Sequence, residues 1–231
     1  MKLATLDRLR KARGDKRPVV LLTWLAGGEQ VVFDPQGDPA ELPPALGESA
    51  RGALRSDRGV TVDTDDGRVF VQPFNPPLRL FVVGAVHISQ ALAPIATVLG
   101  YEVTVIDPRR SFATDERFPG VSVAPEWPDE ALQILAPDAR SAVVTLTHDP
   151  KLDDPALAVA LASPAFYIGC LGSRRTHASR LERLTGRGIG AEALGRLHGP
   201  IGLDIGARSP AEIAASIVAE MTRVLRTGEP P

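Results

Sequence analysis

The strongest chemical signal in the sequence is a pair of arginines that open a helical pattern after a glycine turn. They lie in GCLGSRRTH, at Gly169–His177, directly after an apolar segment. The free amides of a helix N-terminus attract anions, and arginine binds a phosphate through parallel hydrogen bonds. Basic residues oppose the helix dipole at this end, so a bound anion would balance them. The candidate anion-binding residues of this turn are Gly169, Gly172, Ser173, Arg174 and Arg175.

A second candidate lies in LFVVGAVHIS, where an apolar strand pattern at Leu80–Val83 meets a helical pattern. The glycine positions of the dinucleotide-binding fingerprint GxGxxG fall on Gly84, Val86 and Ser89. Val86 would place an isopropyl group where a pyrophosphate approaches the backbone, which argues against a generic NAD site. The helix N-terminus still offers amides to an anion, with His87 beside it as a ligand contact or a packing residue. A tight strand–helix turn without a ligand is the alternative.

Two further polar groups follow predicted strands. Asp107 and Arg109 come just over 20 residues after the glycine turn, where a carboxylate usually holds a ribose diol and an arginine can contact a phosphate. The remaining candidate cofactor-binding residues are Thr147, His148, Asp149 and His198. The first three form a polar cluster after a strand, whereas His198 opens a glycine-rich loop with no predicted strand before it. Capped turns with solvated side chains are the structural alternative at each place.

The composition is that of an ordinary globular chain, with 231 residues, 44% hydrophobic and 23% charged, and a net charge of −2. This charge gives no sign of a nucleic-acid-binding surface. Cys170 is the single cysteine, which excludes an internal disulfide and a thiolate zinc cage, and we expect it to pack rather than to act as a nucleophile. Neither a catalytic acid–base pair nor a metal site stands out. No apolar run predicts a membrane span or a signal peptide, so we expect a cytoplasmic protein.

The elements that must position these residues alternate between strand and helix in the second part of the chain. The predicted strands are Leu80–Val83, Tyr101–Ile106, Val121–Ala124, Ala142–Thr147 and Ala165–Ile168. The predicted helices are Ser89–Leu99, with Ser89 as a candidate N-cap, Asp129–Leu135, one from Asp154 with Pro155 at its first position, one from Ser173, and one from a capping box at Ser209 to about Arg226. This alternation predicts a Rossmann-like, doubly wound parallel sheet of the α/β class. Ligands of such sheets bind beyond the carboxyl ends of the strands.

The first part of the chain predicts a small α+β domain. Three prolines in QPFNPPL, at Gln72–Leu78, indicate an extended linker, so we expect domains at residues 1–74 and 78–227. The predicted elements of the first domain are helices at Leu3–Ala12 and Leu46–Leu54, paired strands at Pro18–Leu25 and Gln30–Phe33, and a hairpin around Asp65-Asp66-Gly67.

A series of long motifs resembles the XdhC/CoxI family. In order over about residues 78–222, these are GAVHIxQAL, VTVIDPR, RFP, LTHDPKLDDPAL, YIGxLGSRRTHAxRLERL and HGPIGLDIGARSPAEIA. The resemblance implies a Rossmann-like domain in an accessory protein that binds molybdenum cofactor, protects it during sulfuration and passes it to the apo-enzyme of a molybdenum hydroxylase. Xanthine dehydrogenase and CO dehydrogenase are such enzymes, and a cysteine desulfurase or sulfurase is an implied partner. The motif positions include Gly84, His87, Asp107, Arg109, Gly172, Ser173, Arg174 and Arg175.

Three functions stay open at this point. The first is a cofactor chaperone, not an enzyme, whose cargo is molybdopterin or its dinucleotide form. The second is an NAD(P)-dependent oxidoreductase, which Asp107 favours and Val86 and Ser89 oppose. The third is an interaction module without cofactor, which is favoured because the first 75 residues hold only Ala26–Glu29 in place of the family's cysteine-containing GSVSGGCVE-like motif. A homodimer is the default assembly.

Overall fold

The computed structural model describes residues 2–35 and 42–228, and the chain divides into two compact units, one up to Pro76 and one from Pro77 onward. The elements of the first unit are α1 (Leu3–Gly14), β1 (Val19–Trp24), β2 (Gln30–Phe33), α2 (Pro44–Ser56), β3 (Val60–Thr64) and β4 (Gly67–Phe74). Their strands form an antiparallel sheet in the order β2-β1-β4-β3.

The strand β1 shows why this sheet forms between two helices. Its residues alternate between the two faces, as the period of a strand requires. Val20 and Leu22 pack against the α2 side, whereas Val19 and Leu21 join a cluster with Leu9 of α1. One face of the sheet therefore packs against α2 and the other against α1.

The predicted linker is shorter than expected. β4 runs to Phe74, and the next strand begins at Leu78. Pro73 is tolerated in β4 because the pairing with β3 ends at Val71, so only β1 still pairs with the strand at that point. The prediction of a linker over the whole of Gln72–Leu78 was therefore wrong.

The second unit carries the parallel sheet. Its elements are β5 (Leu78–Val83), α3 (His87–Val98), β6 (Tyr101–Ile106), β7 (Ser122–Ala124), α4 (Pro128–Leu135), β8 (Ser141–Thr145), α5 (Pro150–Ala162), β9 (Tyr167–Cys170), α6 (Arg174–Gly186), α7 (Ala191–Leu194), β10 (Leu197–His198) and α8 (Pro210–Thr227). All its described strands are parallel, in the order β10-β9-β8-β5-β6-β7. The predicted Rossmann-like doubly wound sheet is confirmed. The order reverses between β5 and β8, which is where such folds bind ligands.

Two apolar layers cover this sheet. Leu80 and Val82 of β5 pack on the side of α3 and α8, whereas Phe81 and Val83 pack on the side of α4, α5 and α6. Strands buried on both faces explain the continuous apolar runs in the sequence. In residues 2–35 and 42–228, no helix combines the length and the apolar character needed to cross a membrane.

Several element boundaries differ from the sequence prediction. α5 begins at Pro150, because Asp149 caps it by accepting a hydrogen bond from the Lys151 amide, so Pro155 lies inside the helix rather than at its start. β9 extends to Cys170, which moves Gly169 from the predicted turn into the strand. The glycine-rich loop at His198 does follow a strand, the two-residue β10. The capping box at Ser209 is confirmed at the start of α8.

Candidate functional site

The loops after β5 and β8 meet at the reversal point of the sheet. Gly84 has a φ of +108°, and a Cβ atom there would lie 2.7 Å from Cγ2 of Thr147 and 3.4 Å from the Thr147 amide nitrogen. Only glycine fits both the conformation and the space. Gly84 therefore lets the two loops touch, so the residues after both strands lie side by side at the carboxyl edge of the sheet, where such folds form their binding crevice.

The start of α3 exposes backbone amides to this crevice. Val86 is the N-cap and has no side-chain cap from any described residue, while His87 in the first turn is exposed. Val86 itself packs partly against the apolar core. Ser89 is not the N-cap that the sequence predicts, because its buried hydroxyl donates to the Gly84 carbonyl. The α3 N-terminus therefore offers amides, but no glycine opens the backbone as in a dinucleotide fingerprint.

Asp107 occupies the position predicted to hold a ribose diol, but its carboxylate is fully buried and engaged. Oδ2 accepts from the Ala85 amide at 2.8 Å and from Nη2 of Arg109 at 2.7 Å. Oδ1 accepts from the amide of Arg109 at 3.0 Å and from its Nε at 2.9 Å. Burial alone would raise the pKa of Asp107, but these hydrogen bonds hold it below its usual value. Asp107 therefore fixes the loop after β5 and orients Arg109.

Arg109 is the group that this arrangement presents to solvent. Its side chain is 40% exposed, and its guanidinium stacks on the ring of Phe112 at 4.8 Å. The hydrogen bond to Asp107 raises the pKa of Arg109, as does attraction from the carboxylates of Asp149 and Asp153, so it stays charged. The end of β6 thus offers a fixed cation beside the α3 N-terminus.

The polar cluster after β8 serves mainly to build its own loop. The hydroxyl of Thr147 donates to Oδ1 of Asp153 at 2.6 Å and accepts from the Asp149 amide at 3.0 Å. Asp149 caps α5, and His148 is exposed with a φ of +63°. Of the predicted cluster, the side chain of His148 is the one that no hydrogen bond among the described residues engages.

The start of α6 has the features of an anion site that the sequence predicts. Gly172, at a φ of +145°, leads to Ser173, whose hydroxyl caps the helix by accepting from the Thr176 amide at 3.2 Å. The first turn has no acidic residue. Arg174 and Arg175 are exposed, and their guanidinium groups contact no acceptor within the described part of the chain. Free amides and two unneutralised cations therefore face solvent at the carboxyl end of β9.

Gly169 and His198 support the core rather than the crevice. A Cβ atom at Gly169 would lie 2.5 Å from Cδ1 of Ile201, so this glycine is required by packing. His198 is 3% exposed, stacks on Tyr167 with ring centroids 4.5 Å apart, and places Nδ1 3.3 Å from Oε1 of Glu220. The sequence placed both residues in loops and therefore assigned them as cofactor contacts. In the structure, Gly169 lies in β9 and His198 in β10.

A buried charged pair beneath the crevice was missed by sequence reasoning. Arg180 of α6 is 2% exposed, donates from Nη2 to the Leu171 carbonyl at 2.8 Å, and lies 3.8 Å from Oδ2 of Asp153. Burial raises the pKa of Asp153 despite this cation. Nearby, Arg183 forms a bidentate ion pair with Asp154. The sequence does contain a signal for these pairs. Asp153 and Asp154 are adjacent, and Arg180 and Arg183 are three residues apart, a spacing that places both arginines on the same side of a helix.

Cys170 belongs to the core. Its thiol is fully buried, 3.6 Å from Nδ1 of His177 and 3.5 Å from the His198 carbonyl. Burial raises its pKa to about 11, so it is a neutral thiol near pH 7. In residues 2–35 and 42–228, no group of three or more His, Cys, Asp or Glu side chains could hold a metal ion. The backbone amides and guanidinium groups at this edge of the sheet suit a phosphate.

Comparison with known proteins identifies the domain that carries this crevice. A family model described as the XdhC Rossmann domain matches residues 80–221. Among curated proteins, an uncharacterized Escherichia coli protein, YqeB, is 33% identical over 156 residues, 68% of this chain and 29% of its own length. The E. coli molybdenum cofactor insertion chaperone PaoD is 32% identical over 151 residues, 65% of this chain and 41% of its own length.

Two further proteins are similar to this chain. A protein of Bacillus subtilis named as a probable xanthine dehydrogenase subunit is 32% identical over 154 residues, 66% of this chain and 44% of its own length. A crystal structure of a xanthine dehydrogenase from Bacillus halodurans matches 98% of this chain and 65% of that chain with a TM-score of 0.70 at 22% identity, which shows a shared fold. The chain spans less than half the length of the curated relatives it matches.

Proposed function

The chain belongs to the XdhC family, and we propose that it binds molybdenum cofactor and delivers it to the apo-enzyme of a molybdenum hydroxylase. A relative named as a molybdenum cofactor insertion chaperone supports the choice of cargo, and one named as a xanthine dehydrogenase subunit supports the class of client. In this proposal the protein acts as a carrier, a role that requires no covalent step.

One observation carries the binding part of this proposal, namely the start of α6. Molybdenum cofactor is a pterin phosphate, in some enzymes extended to a dinucleotide. Its phosphate end is anionic, and the Ser173-capped helix presents free amides together with Arg174 and Arg175. Charge-assisted hydrogen bonds from these groups would hold a phosphate. Because both arginines lie on the surface, the site stays open enough for the cargo to leave when a client docks.

The geometry gives less support to an NAD-dependent oxidoreductase. The carboxylate of Asp107 is occupied by hydrogen bonds from Ala85 and Arg109, and therefore has no acceptor left for a ribose diol. Val86 stands where the fingerprint needs a glycine. The third alternative is an interaction module without cofactor, and a lack of cofactor binding in the experiment below would favour it.

The test is binding of purified molybdenum cofactor to the purified protein. We expect saturable binding by the wild type, at least about tenfold weaker binding by Arg174→Ala/Arg175→Ala, and no displacement by NAD. Arg187→Ala, at the opposite end of α6, is the matched control and should bind like the wild type.

Two results would contradict the proposal. A folded wild type that binds no cofactor removes the carrier function and favours the interaction module. Equal binding by the double variant and the wild type removes α6 as the phosphate site. Circular dichroism of each variant verifies that the comparison is made between folded proteins.

A further inference from the structure

Dinucleotide-binding domains hold a ribose through an acidic residue at the carboxyl end of the second strand of the fold, which is β6 here. Asp107 stands at that position but is fully buried. Four hydrogen bonds from described residues occupy its two oxygens, one from Ala85 and three from Arg109. A ribose hydroxyl would have to displace one of them inside the protein. Recognition of a diol by this carboxylate is therefore disfavoured.

The same hydrogen bonds make Arg109 a prepared anion-binding group. Arginine has five N–H donors, and Nε and Nη2 each give one to Asp107. The other three meet no acceptor among the described residues. The bidentate pair fixes the plane of the guanidinium, and the ring of Phe112 at 4.8 Å supports one of its faces. Less conformational entropy is then lost when a ligand binds.

The groups around Arg109 include both attractive and repulsive charges for an anion. The Asp107–Ala85 hydrogen bond places Arg109 next to the loop that leads to α3, whose first turn has free amides and no acidic residue. The guanidinium of Arg117 adds charge at 5.7 Å from the Phe112 ring. The carboxylates of Asp149 and Asp153 attract Arg109 and would repel an anion. An anion with two negative charges therefore gains more from the two arginines and the amides than one with a single charge only if those groups outweigh the carboxylates.

We propose that Arg109, aimed by Asp107, binds a phosphomonoester in the place where a dinucleotide-binding domain would hold a ribose diol. Arg109 is the specificity-determining residue, and Asp107 is a positioning residue. This anion subsite goes beyond the proposed function, because it lies at the carboxyl end of β6, whereas the site at the start of α6 lies at the carboxyl end of β9. It does not depend on whether molybdenum cofactor is the cargo.

The test compares two probes that differ only in the group expected to lie at Arg109. Adenosine 2′,5′-bisphosphate carries a phosphomonoester at the 2′ position, whereas 5′-AMP carries a diol. By calorimetry, we expect the wild type to bind the bisphosphate at least about tenfold more tightly. Arg109→Met, which keeps an unbranched apolar stem but removes the guanidinium, should abolish the preference. Arg110→Met, which removes an exposed neighbouring charge, should retain it.

The outcomes separate this inference from the proposed function. Equal affinity for the two probes, a preference for 5′-AMP, binding of neither, or an unchanged preference in Arg109→Met overturns the inference, even if molybdenum cofactor binds. A preference lost only in Arg109→Met supports it, even if molybdenum cofactor does not bind. Weaker binding of molybdenum cofactor by Arg109→Met would identify the cargo as the source of the phosphate, and unchanged binding would indicate a separate nucleotide ligand.

Discussion

The hydroxyl of Tyr167 in β9 donates a hydrogen bond of 2.5 Å to Oε2 of Glu220 in α8, across the interface between the sheet and its last helix. The same oxygen accepts from the Gly202 amide at 2.8 Å, and Oε1 lies 3.3 Å from Nδ1 of His198. One buried carboxylate therefore joins β9, α8 and the glycine-rich loop that leads from β10 into α8.

We predict that Glu220→Gln destabilises the protein in a pH-dependent manner. Burial alone would raise the pKa of Glu220, but hydrogen bonds involving His198, Tyr167 and the Gly202 amide hold it below its usual value. A carboxylate whose pKa is lower in the folded state stabilises the fold at a pH above its unfolded-state pKa, which is roughly 4.3 for a glutamate. This stabilisation is lost as the pH falls through the pKa that Glu220 has in the folded state. The variant should lose about 1–3 kcal/mol of unfolding free energy at pH 7, and less at low pH.

Urea unfolding at a series of pH values measures this effect. Glu182→Gln, an exposed glutamate in α6, is the control and should change the free energy of unfolding little. A difference between Glu220→Gln and the wild type that stays constant down to acidic pH would contradict the assignment of a depressed pKa.

The parallel sheet could be predicted because its strands are buried on both faces and are therefore continuously apolar. The start of α8 could be predicted from Ser209, because a capping box depends on residues four positions or fewer apart. The start of α5 could not, because Asp149 and Pro150 compete with Asp154 and Pro155 as a cap followed by proline, and only the folded loop shows which pair is used.

The candidate site was only partly predictable for a similar reason. Residue type and position predict that Asp107 lies at the end of β6, but not that Arg109 and the Ala85 amide occupy its oxygens. The burial of His198 depends on Tyr167 and Glu220, which are distant in sequence. Long-range contacts of this kind decide which polar residues face a ligand and which face the core.

We predict that Arg180→Met strongly destabilises the protein, because it leaves the buried carboxylate of Asp153 without its cation. Removing one partner of a buried ion pair typically costs about 3–5 kcal/mol. The pKa of Asp153 is already raised by burial, and loss of Arg180 should raise it further. A raised pKa makes the fold relatively more stable at low pH, and this contribution is lost as the pH rises through the folded-state value.

Denaturation at pH 7 and pH 5 tests this sign. The deficit of Arg180→Met relative to the wild type should be larger at pH 7, since protonation of Asp153 relieves the unpaired charge at lower pH. Asp153→Asn/Arg180→Met, which removes both charges, should recover part of the stability. A deficit that grows on acidification would show that Asp153 is not the affected group.

Cys170 provides a prediction about reactivity. The thiolate is the reactive form, and burial raises the pKa of this thiol to about 11. We expect a thiol-specific reagent at pH 8 to label the native protein slowly and the urea-unfolded protein quickly. Because Cys170 is the single cysteine, the label needs no mapping. Rapid and complete labelling of the native state would contradict the buried position of the side chain.

Gly84 gives the most direct test of the contact between the loops after β5 and β8. Gly84→Ala forces alanine to a φ of +108° and places its Cβ 2.7 Å from Cγ2 of Thr147. Gly100→Ala is a matched control, since Gly100 has a φ of +87° but no atom within 4 Å of an added Cβ. Backbone strain alone costs on the order of 1–3 kcal/mol, so Gly84→Ala should lose more unfolding free energy than Gly100→Ala.

The contact itself can be isolated by a second substitution. Thr147→Ser removes Cγ2 but keeps the hydroxyl that donates to Asp153. In the Gly84→Ala background it should recover stability, because the methyl group is the nearest obstacle to the new Cβ, whereas in the Gly100→Ala background it should not. Recovery would show that Thr147 limits the space at Gly84. Equal losses for the two glycine variants, without recovery by Thr147→Ser, would show that the two loops do not press against each other in solution.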